Sequence, residues 1–171
     1  HGDMTIIYYP KADGYVKQGI TTFVGGNCGS SPGPYGDLIS VGMGVSEIIT
    51  NIAPDMYYPN STLPREVVNT EHKKIFGWEI DWRTLGEFFT KLETKGLSPN
   101  YVPLLGHHAI RTITMGLDSK RKATPQEIEA MTKHVEQAML DGCRGMSAGR
   151  DYEPSYYADL EELVELNKIV S

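Results

Sequence analysis

The stretch QGITTFVGGNCG, residues 18–29, joins a strand-like run to a glycine-rich end. Residues 19–24 are rich in β-branched and aromatic side chains, which favour a β-strand. Gly25 and Gly26 interrupt this pattern, so the strand is predicted to end there. Cys28 follows directly, which places a sulfur side chain at the carboxyl end of the first predicted strand.

Two more strand-like runs and three capped helices alternate along the rest of the chain. The runs are residues 101–105 and 144–147. Each helix is predicted to begin where a capping side chain is followed three residues later by Glu: Thr84 with Glu87, Thr124 with Glu127, and Asp159 with Glu162. Such alternation is typical of parallel βα units. A doubly wound sheet and a (β/α)8 barrel both satisfy it.

Residues at about 29–83 interrupt this alternation. They contain five prolines and little sustained periodicity, which predicts a long insertion or lid. His72, inside this segment, is predicted to be solvated. In the last helix, the predicted buried side consists of Leu160, Leu163, Val164 and Val170.

The composition is that of a globular protein, with 171 residues, 40% of them hydrophobic and 22% charged. A net charge of −6 argues against a nucleic-acid or membrane partner, because both kinds of surface need clustered Lys and Arg. No apolar run approaches the roughly 20 residues that span a bilayer. The two cysteines, Cys28 and Cys143, favour a reducing compartment, so a cytoplasmic protein is expected.

Both ends of the sequence resemble internal positions of a longer chain. It begins at His1 without an initiator Met, and it stops at Ser171 inside an amphipathic pattern. We therefore expect residues 1–171 to be a piece of a larger protein.

Reactive side chains follow each predicted strand. Cys28 comes after the first run, His107 after the second, and residues 147–152 after the third, while His1 stands where an earlier strand would end. Carboxyl ends of parallel strands meet at one edge and carry the active sites of α/β folds. The three strands are therefore predicted to be parallel neighbours, with His1, Cys28 and His107 converging at one end.

Four segments resemble the D-aminoacylases, the N-acyl-D-amino-acid deacylases of the amidohydrolase superfamily. They occur in the family's order, and they are residues 18–29, 106–111, 123–128 and 145–154. The resemblance implies a parallel (β/α)8 TIM barrel of the metal-dependent hydrolase type. Residues 1–171 would supply about its first half, from strands 1 and 2 to helix 4, because a full barrel needs about 250 residues.

The resemblance also implies roles for individual residues. Cys28 matches a zinc ligand, and His1 matches the second His of a His-x-His pair that binds metal. Tyr152 is expected to bind the substrate carboxylate, and His107 is a second candidate for substrate binding. The family's catalytic Asp and its remaining metal histidines would lie beyond Ser171.

The function implied is zinc-dependent hydrolysis of the amide bond in N-acyl-D-amino acids, which are small-molecule substrates. Two alternatives stay open: a cyclic-amide hydrolase of the dihydroorotase or hydantoinase kind, and a barrel without catalytic activity. Residues 144–149 contain no Lys that could be carboxylated to bridge two metals, which counts against the cyclic-amide hydrolases. The oligomeric state stays open as well.

Overall fold

Short strands and the helices between them form the regular structure in this computed structural model, which describes residues 5–41 and 61–171. The strands are β1 (Thr22–Gly25), β2 (Leu38–Val41), β3 (Ser61–Pro64), β4 (Asn100–Pro103), β5 (Leu105–Gly106) and β6 (Met146–Ser147). The helices are α1 (Asp13–Val16), α2 (Arg65–Phe76), α3 (Leu85–Lys95), α4 (His107–Met115), α5 (Pro125–Leu140) and α6 (Leu160–Val170).

The three predicted strands are parallel neighbours, as expected. β1 pairs with β4, with Phe23 opposite Tyr101, and β5 pairs with β6, with Gly106 opposite Ser147. β4 and β5 follow one another with only Leu104 between them, so they form one line of chain with β1 on one side and β6 on the other. The carboxyl ends of all three strands therefore meet at one edge.

The predicted helix starts are confirmed at α3, α5 and α6. Thr84 and Thr124 each accept a hydrogen bond from the backbone N–H of the Glu three residues later, and both form complete capping boxes. Asp159 caps α6 through the N–H of Glu162. These side chains satisfy backbone donors that the first turn of a helix leaves unpaired.

The predicted buried side of α6 is only partly correct: Val170 is half-buried and packs against the core, but two of the other three residues are exposed. Leu160 is 72% exposed and Val164 is 45% exposed, whereas Glu162 and Leu166 are buried. The physical reason is that Glu162 has charged and polar partners inside the protein, which compensate for the loss of water around its carboxylate.

The described part of the insertion contains two strands and a helix. β2 and β3 pair in antiparallel fashion, and α2 follows at once. Arg65, the first residue of α2, donates hydrogen bonds to four carbonyl oxygens of the segments around it, those of Tyr35, Gly36, Ile80 and Trp82. His72 on α2 is fully buried, so its predicted exposure is wrong.

Two apolar clusters form the core. One joins the insertion to α3 and contains Ile39, Val68, Trp82, Phe88 and Leu92, among others. The other lies between α4, α5 and α6 and is built around Leu105, Ile110, Met131, Val135 and Leu166. Of the helices in the described part of the chain, none has both the length and the apolar character that crossing a bilayer requires.

Candidate functional site

Cys28 lies in a single 3₁₀ turn, Asn27–Gly29, immediately after β1. Its side chain is exposed, and its backbone has φ 56° and ψ 27°, in the left-handed region. A residue with a Cβ is disfavoured there by roughly 1–2 kcal/mol, so the surroundings must hold the turn in place. Such strain is concentrated at functional sites in proteins.

Ser147, the last residue of β6, holds both ends of this turn. Its hydroxyl accepts a hydrogen bond from the N–H of Gly29 at 2.9 Å and donates one to the carbonyl oxygen of Gly26. The hydroxyl proton is therefore engaged by the backbone. This is the arrangement of a structural serine, because an activated nucleophile would donate its proton to a base instead.

Glycines let the three strand ends approach one another backbone to backbone. A Cβ at Gly26 would lie 1.9 Å from the carbonyl oxygen of Leu104, and one at Gly106 would lie 2.5 Å from that of Gly29. At Gly149 it would lie 2.2 Å from the carbonyl oxygen of Cys28. No side chain fits at these positions without displacing the Cys28 turn.

Tyr152 lies at the same edge as Cys28. Its N–H donates to the carbonyl oxygen of Gly149 at 3.1 Å, and its ring lies beside Gly149, 3.1 Å from where a Cβ would be. The side chain is 41% exposed. The structure therefore places the backbone of Cys28 and the ring of Tyr152 together beside Gly149, and both residues are exposed to solvent.

His108 is a further residue at this strand end. It is buried under the Cys28 turn, where Nε2 lies 3.2 Å from the carbonyl oxygen of Gly149 and Nδ1 lies 3.5 Å from the Ser30 hydroxyl. Burial lowers the pKa of His108 to about 4, so the ring is neutral at pH 7. Its position directly after His107 at a strand end was the one signal for it in the sequence.

His107, a candidate for substrate binding, is fully buried and has protein partners on both ring nitrogens. Nδ1 lies 2.7 Å from the Ser155 hydroxyl, and Nε2 lies 2.7 Å from Oε1 of Glu162. The other carboxylate oxygen of Glu162 accepts from Arg111, which also donates to the carbonyl oxygens of Ser119 and Arg121. We call Ser155, His107, Glu162 and Arg111 the buried network.

The carboxyl group of Glu162 is held in its ionised form within the buried network. Burial opposes ionisation of Glu162, but the hydrogen bonds from His107 and Arg111 outweigh it and lower the pKa of this carboxyl group. The carboxylate therefore pairs with the guanidinium of Arg111. The sequence did not identify Ser155 or Glu162 as site residues. The available signal was the spacing of Glu162 and Leu166, which puts both on one helical face.

Two metal ligands were predicted, Cys28 and His1. Cys28 lies within the described residues, and His1 lies outside them. Within residues 5–41 and 61–171, no group of three His, Cys, Asp or Glu side chains lies close enough together to hold a metal ion. Cys143 is buried in the second apolar cluster, where burial raises the pKa of its thiol to about 12.

Comparisons with known proteins agree with the resemblance seen in the sequence. The chain is 27% identical over 156 residues to a D-aminoacylase of Alcaligenes xylosoxydans xylosoxydans. The alignment covers 91% of this chain and 26% of that protein. The chain is 28% identical over 167 residues to an N-acyl-D-aspartate deacylase of the same organism, covering 97% and 28%. No protein-family model matches the chain.

A solved structure with the same fold is that of the N-acyl-D-glutamate deacylase from Bordetella bronchiseptica, in complex with zinc and a phosphonate that mimics the tetrahedral intermediate of its reaction. The TM-score is 0.68 at 24% identity, and the match covers 98% of this chain and 29% of that one. The resemblance to D-aminoacylases and N-acyl-D-amino-acid deacylases is thus confirmed over most of the chain, which spans less than a third of these relatives' length.

Proposed function

We propose that the protein to which this chain belongs is a zinc-dependent hydrolase of N-acyl-D-amino acids, which releases a carboxylic acid and a D-amino acid. The observation that carries this proposal is the exposed Cys28, held in a left-handed turn at the carboxyl edge of parallel strands and next to Tyr152. The names of the relatives support it, since they are deacylases of this class.

Cys28 and His1 would hold the metal. The thiol of Cys28 is exposed, and the backbone around it is fixed by Ser147 and Gly149, so a ligand at this point would be preorganised. A thiolate and an imidazole are the donor types that Zn²⁺ prefers. The remaining ligands would come from residues beyond Ser171. When bound, zinc polarises a carbonyl group and lowers the pKa of a coordinated water towards roughly 7.

Tyr152 would bind the substrate carboxylate and so select the D-enantiomer. Its hydroxyl is a hydrogen-bond donor on a loop that is fixed to Gly149 at one end. If Tyr152 holds the carboxylate and the amide points towards Cys28, only one enantiomer has room for its side chain. His107 belongs to the same strand end, but it is buried, so it can affect a substrate only through the residues that it holds.

We further infer that the chain is part of a (β/α)8 barrel, of which about half is present, in a cytoplasmic protein. The parallel pairing of β1 with β4 and of β5 with β6 supports a barrel of this kind. The insertion at about 29–83 would shape the pocket for the substrate side chain. A reducing cytoplasm would keep the Cys28 thiol free for metal.

The test of this function is a Cys28→Ser variant of the full-length protein. Serine is similar in size, but its hydroxyl ionises poorly and is a harder donor, so zinc content and hydrolysis of N-acetyl-D-amino acids should both fall at least about tenfold. The matched control is Cys143→Ala, which removes a buried thiol and should leave zinc content unchanged.

Three results would contradict the proposal. Full zinc content and activity in Cys28→Ser would make Cys28 a plain surface thiol. Equal rates on the D- and L-enantiomers would remove the role of Tyr152. An unsubstituted protein that binds no zinc and hydrolyses neither N-acyl-D-amino acids nor cyclic amides would favour a barrel without catalytic activity.

A further inference from the structure

Hydrogen bonds on two sides hold the ring of His107 in the buried network. An ionised Glu162 can only accept, so Nε2 of His107 carries a proton and donates a hydrogen bond to Glu162. On the other side of the ring, Nδ1 is hydrogen-bonded to the Ser155 hydroxyl at 2.7 Å. Two bonds on opposite sides of the ring, with no exposure to water, allow His107 only one orientation.

Ser155 connects this network to the loop that carries Tyr152. Ser155 begins the 3₁₀ turn Ser155–Tyr157, and the N–H of Tyr156 in that turn donates to the carbonyl oxygen of Tyr152 at 2.8 Å. At its other end the loop is tied to Gly149. The backbone of Tyr152 is therefore held between two anchors, one at the Cys28 turn and one at the buried network.

Stability alone does not explain a charged network at this place. Apolar side chains of similar volume are often as stable as a buried ion pair, or more so, because they avoid the loss of hydration. A network whose members are hydrogen-bonded to one another instead fixes a single geometry, and functional side chains need such support. In this chain, polar residues of the buried network lie directly behind the loop that carries Tyr152.

We propose that Ser155, His107 and Glu162 are positioning residues for the substrate carboxylate: they fix the Tyr152 loop and do not touch the substrate. This role rests on the proposed function, in which Tyr152 binds that carboxylate. The indirect route also gives His107 a part in substrate binding that agrees with its complete burial.

The test is a double-mutant cycle in the full-length, zinc-loaded protein. Ser155→Ala frees the loop from His107. It should raise KM for an N-acetyl-D-amino acid about tenfold and change kcat less. The ratio of D to L turnover should also fall, since misplacement by about 1 Å can cost on the order of a hundredfold in rate. In a Tyr152→Phe background, Ser155→Ala should change KM by less than about twofold, because the contact it positions is already gone.

A matched control is Thr112→Val on α4. Thr112 is also buried, but its hydroxyl has no hydrogen-bond partner within residues 5–41 and 61–171, so its removal should leave KM and the D to L ratio unchanged. If Ser155→Ala does not fold, Ser155→Cys provides the same comparison, since a thiol is a weaker donor of similar size. It should give a KM between those of the unsubstituted protein and Tyr152→Phe.

The outcomes separate this proposal from the one on which it rests. If Tyr152→Phe raises KM while Ser155→Ala or Ser155→Cys leaves it unchanged, the positioning role is wrong and the proposed function stands. If Ser155→Ala raises KM equally in both backgrounds, the network acts elsewhere and the positioning role is again wrong. If the unsubstituted protein does not hydrolyse N-acyl-D-amino acids, the proposed function fails first and the positioning role with it.

Discussion

The strand-end region and the insertion each enclose a fully buried histidine, but by different means. The strand-end region comprises residues 26–30, 105–108 and 147–158, and the insertion comprises the described residues between 31 and 83. His107 lies between polar partners in the first. His72 lies in the second, hydrogen-bonded to the Tyr8 hydroxyl at 3.0 Å and the Trp78 carbonyl oxygen at 2.6 Å, and its ring packs on those of Phe76 and Trp78.

This difference shows which kind of change each region tolerates least. The strand-end region is built from backbone packed on backbone, so an added atom has no space. The insertion is built from rings and aliphatic side chains packed together, so a removed atom leaves a cavity. The two regions therefore respond to opposite substitutions, one that adds a methyl group and one that removes methyl groups.

Gly106→Ala should have the largest effect on stability. Its Cβ would lie 2.5 Å from the carbonyl oxygen of Gly29 and 2.6 Å from the N of Ser31, and neither backbone atom can move without displacing the Cys28 turn. The φ of Gly106 is −86°, so any residue can adopt its conformation and the cost is purely steric. We expect a loss of about 3 kcal/mol in the free energy of unfolding, measured by urea denaturation.

Gly14→Ala is the control for this change. No atom of the described part of the chain lies within 4 Å of a Cβ at Gly14, which is inside α1, and Ala favours a helix over Gly by about 1 kcal/mol. The control should therefore unfold at the same urea concentration or a slightly higher one. An equally small effect of Gly106→Ala would mean that close backbone approach does not hold the strand ends together.

Val68→Ala tests the insertion in the opposite sense. Val68 on α2 is fully buried in the apolar cluster that joins the insertion to α3, so losing its methyl groups should cost about 2–3 kcal/mol. The adjacent Val67 is 39% exposed, and Val67→Ala should be close to neutral. A single shifted transition is expected, because the cluster is shared with α3. A separate, earlier transition would show that the insertion unfolds on its own, as a detached lid would.

Local signals predicted more of the fold than long-range ones did. The helices with a capping side chain were found because a cap and its Glu lie three residues apart. α2 and α4 were not, since Pro64 and Gly106 precede them and offer no capping side chain. The predicted buried side of α6 was wrong at Leu160 and Val164, because Glu162 has its partners on α4, more than 50 residues away in the chain.

The candidate site shows the same division. Cys28, His107 and Tyr152 could be placed at strand ends, because a strand end is marked by glycines that follow an apolar run. The surroundings of these residues could not be foreseen. Ser147 fixing the Cys28 turn and Ser155 fixing His107 depend on pairs separated by more than 40 residues, and a serine has no pattern that distinguishes such a role.

The smallest predicted effect is a change of folding stability with pH, which comes from a buried histidine. The pKa of His72 and that of His108 are both lowered by burial, so each region resists protonation of a histidine. Below pH 6.5 the unfolded chain takes up a proton on His108 that the folded protein does not accept until about pH 4. Stability must therefore fall as the pH falls through this window, by about 2 kcal/mol for His108 between about pH 7.5 and pH 5.

A His108→Gln variant isolates this contribution. The Gln amide can still donate to the carbonyl oxygen of Gly149 but cannot be protonated. Between the two pH values, the variant should therefore lose about 2 kcal/mol less stability than the unsubstituted protein. Carboxylates titrate equally in both proteins and cancel in the difference. An equal loss in both proteins would mean that His108 takes up its proton in the folded state as readily as in the unfolded one. The strand ends would then be open to water beneath the Cys28 turn, unlike the ring-lined space around His72.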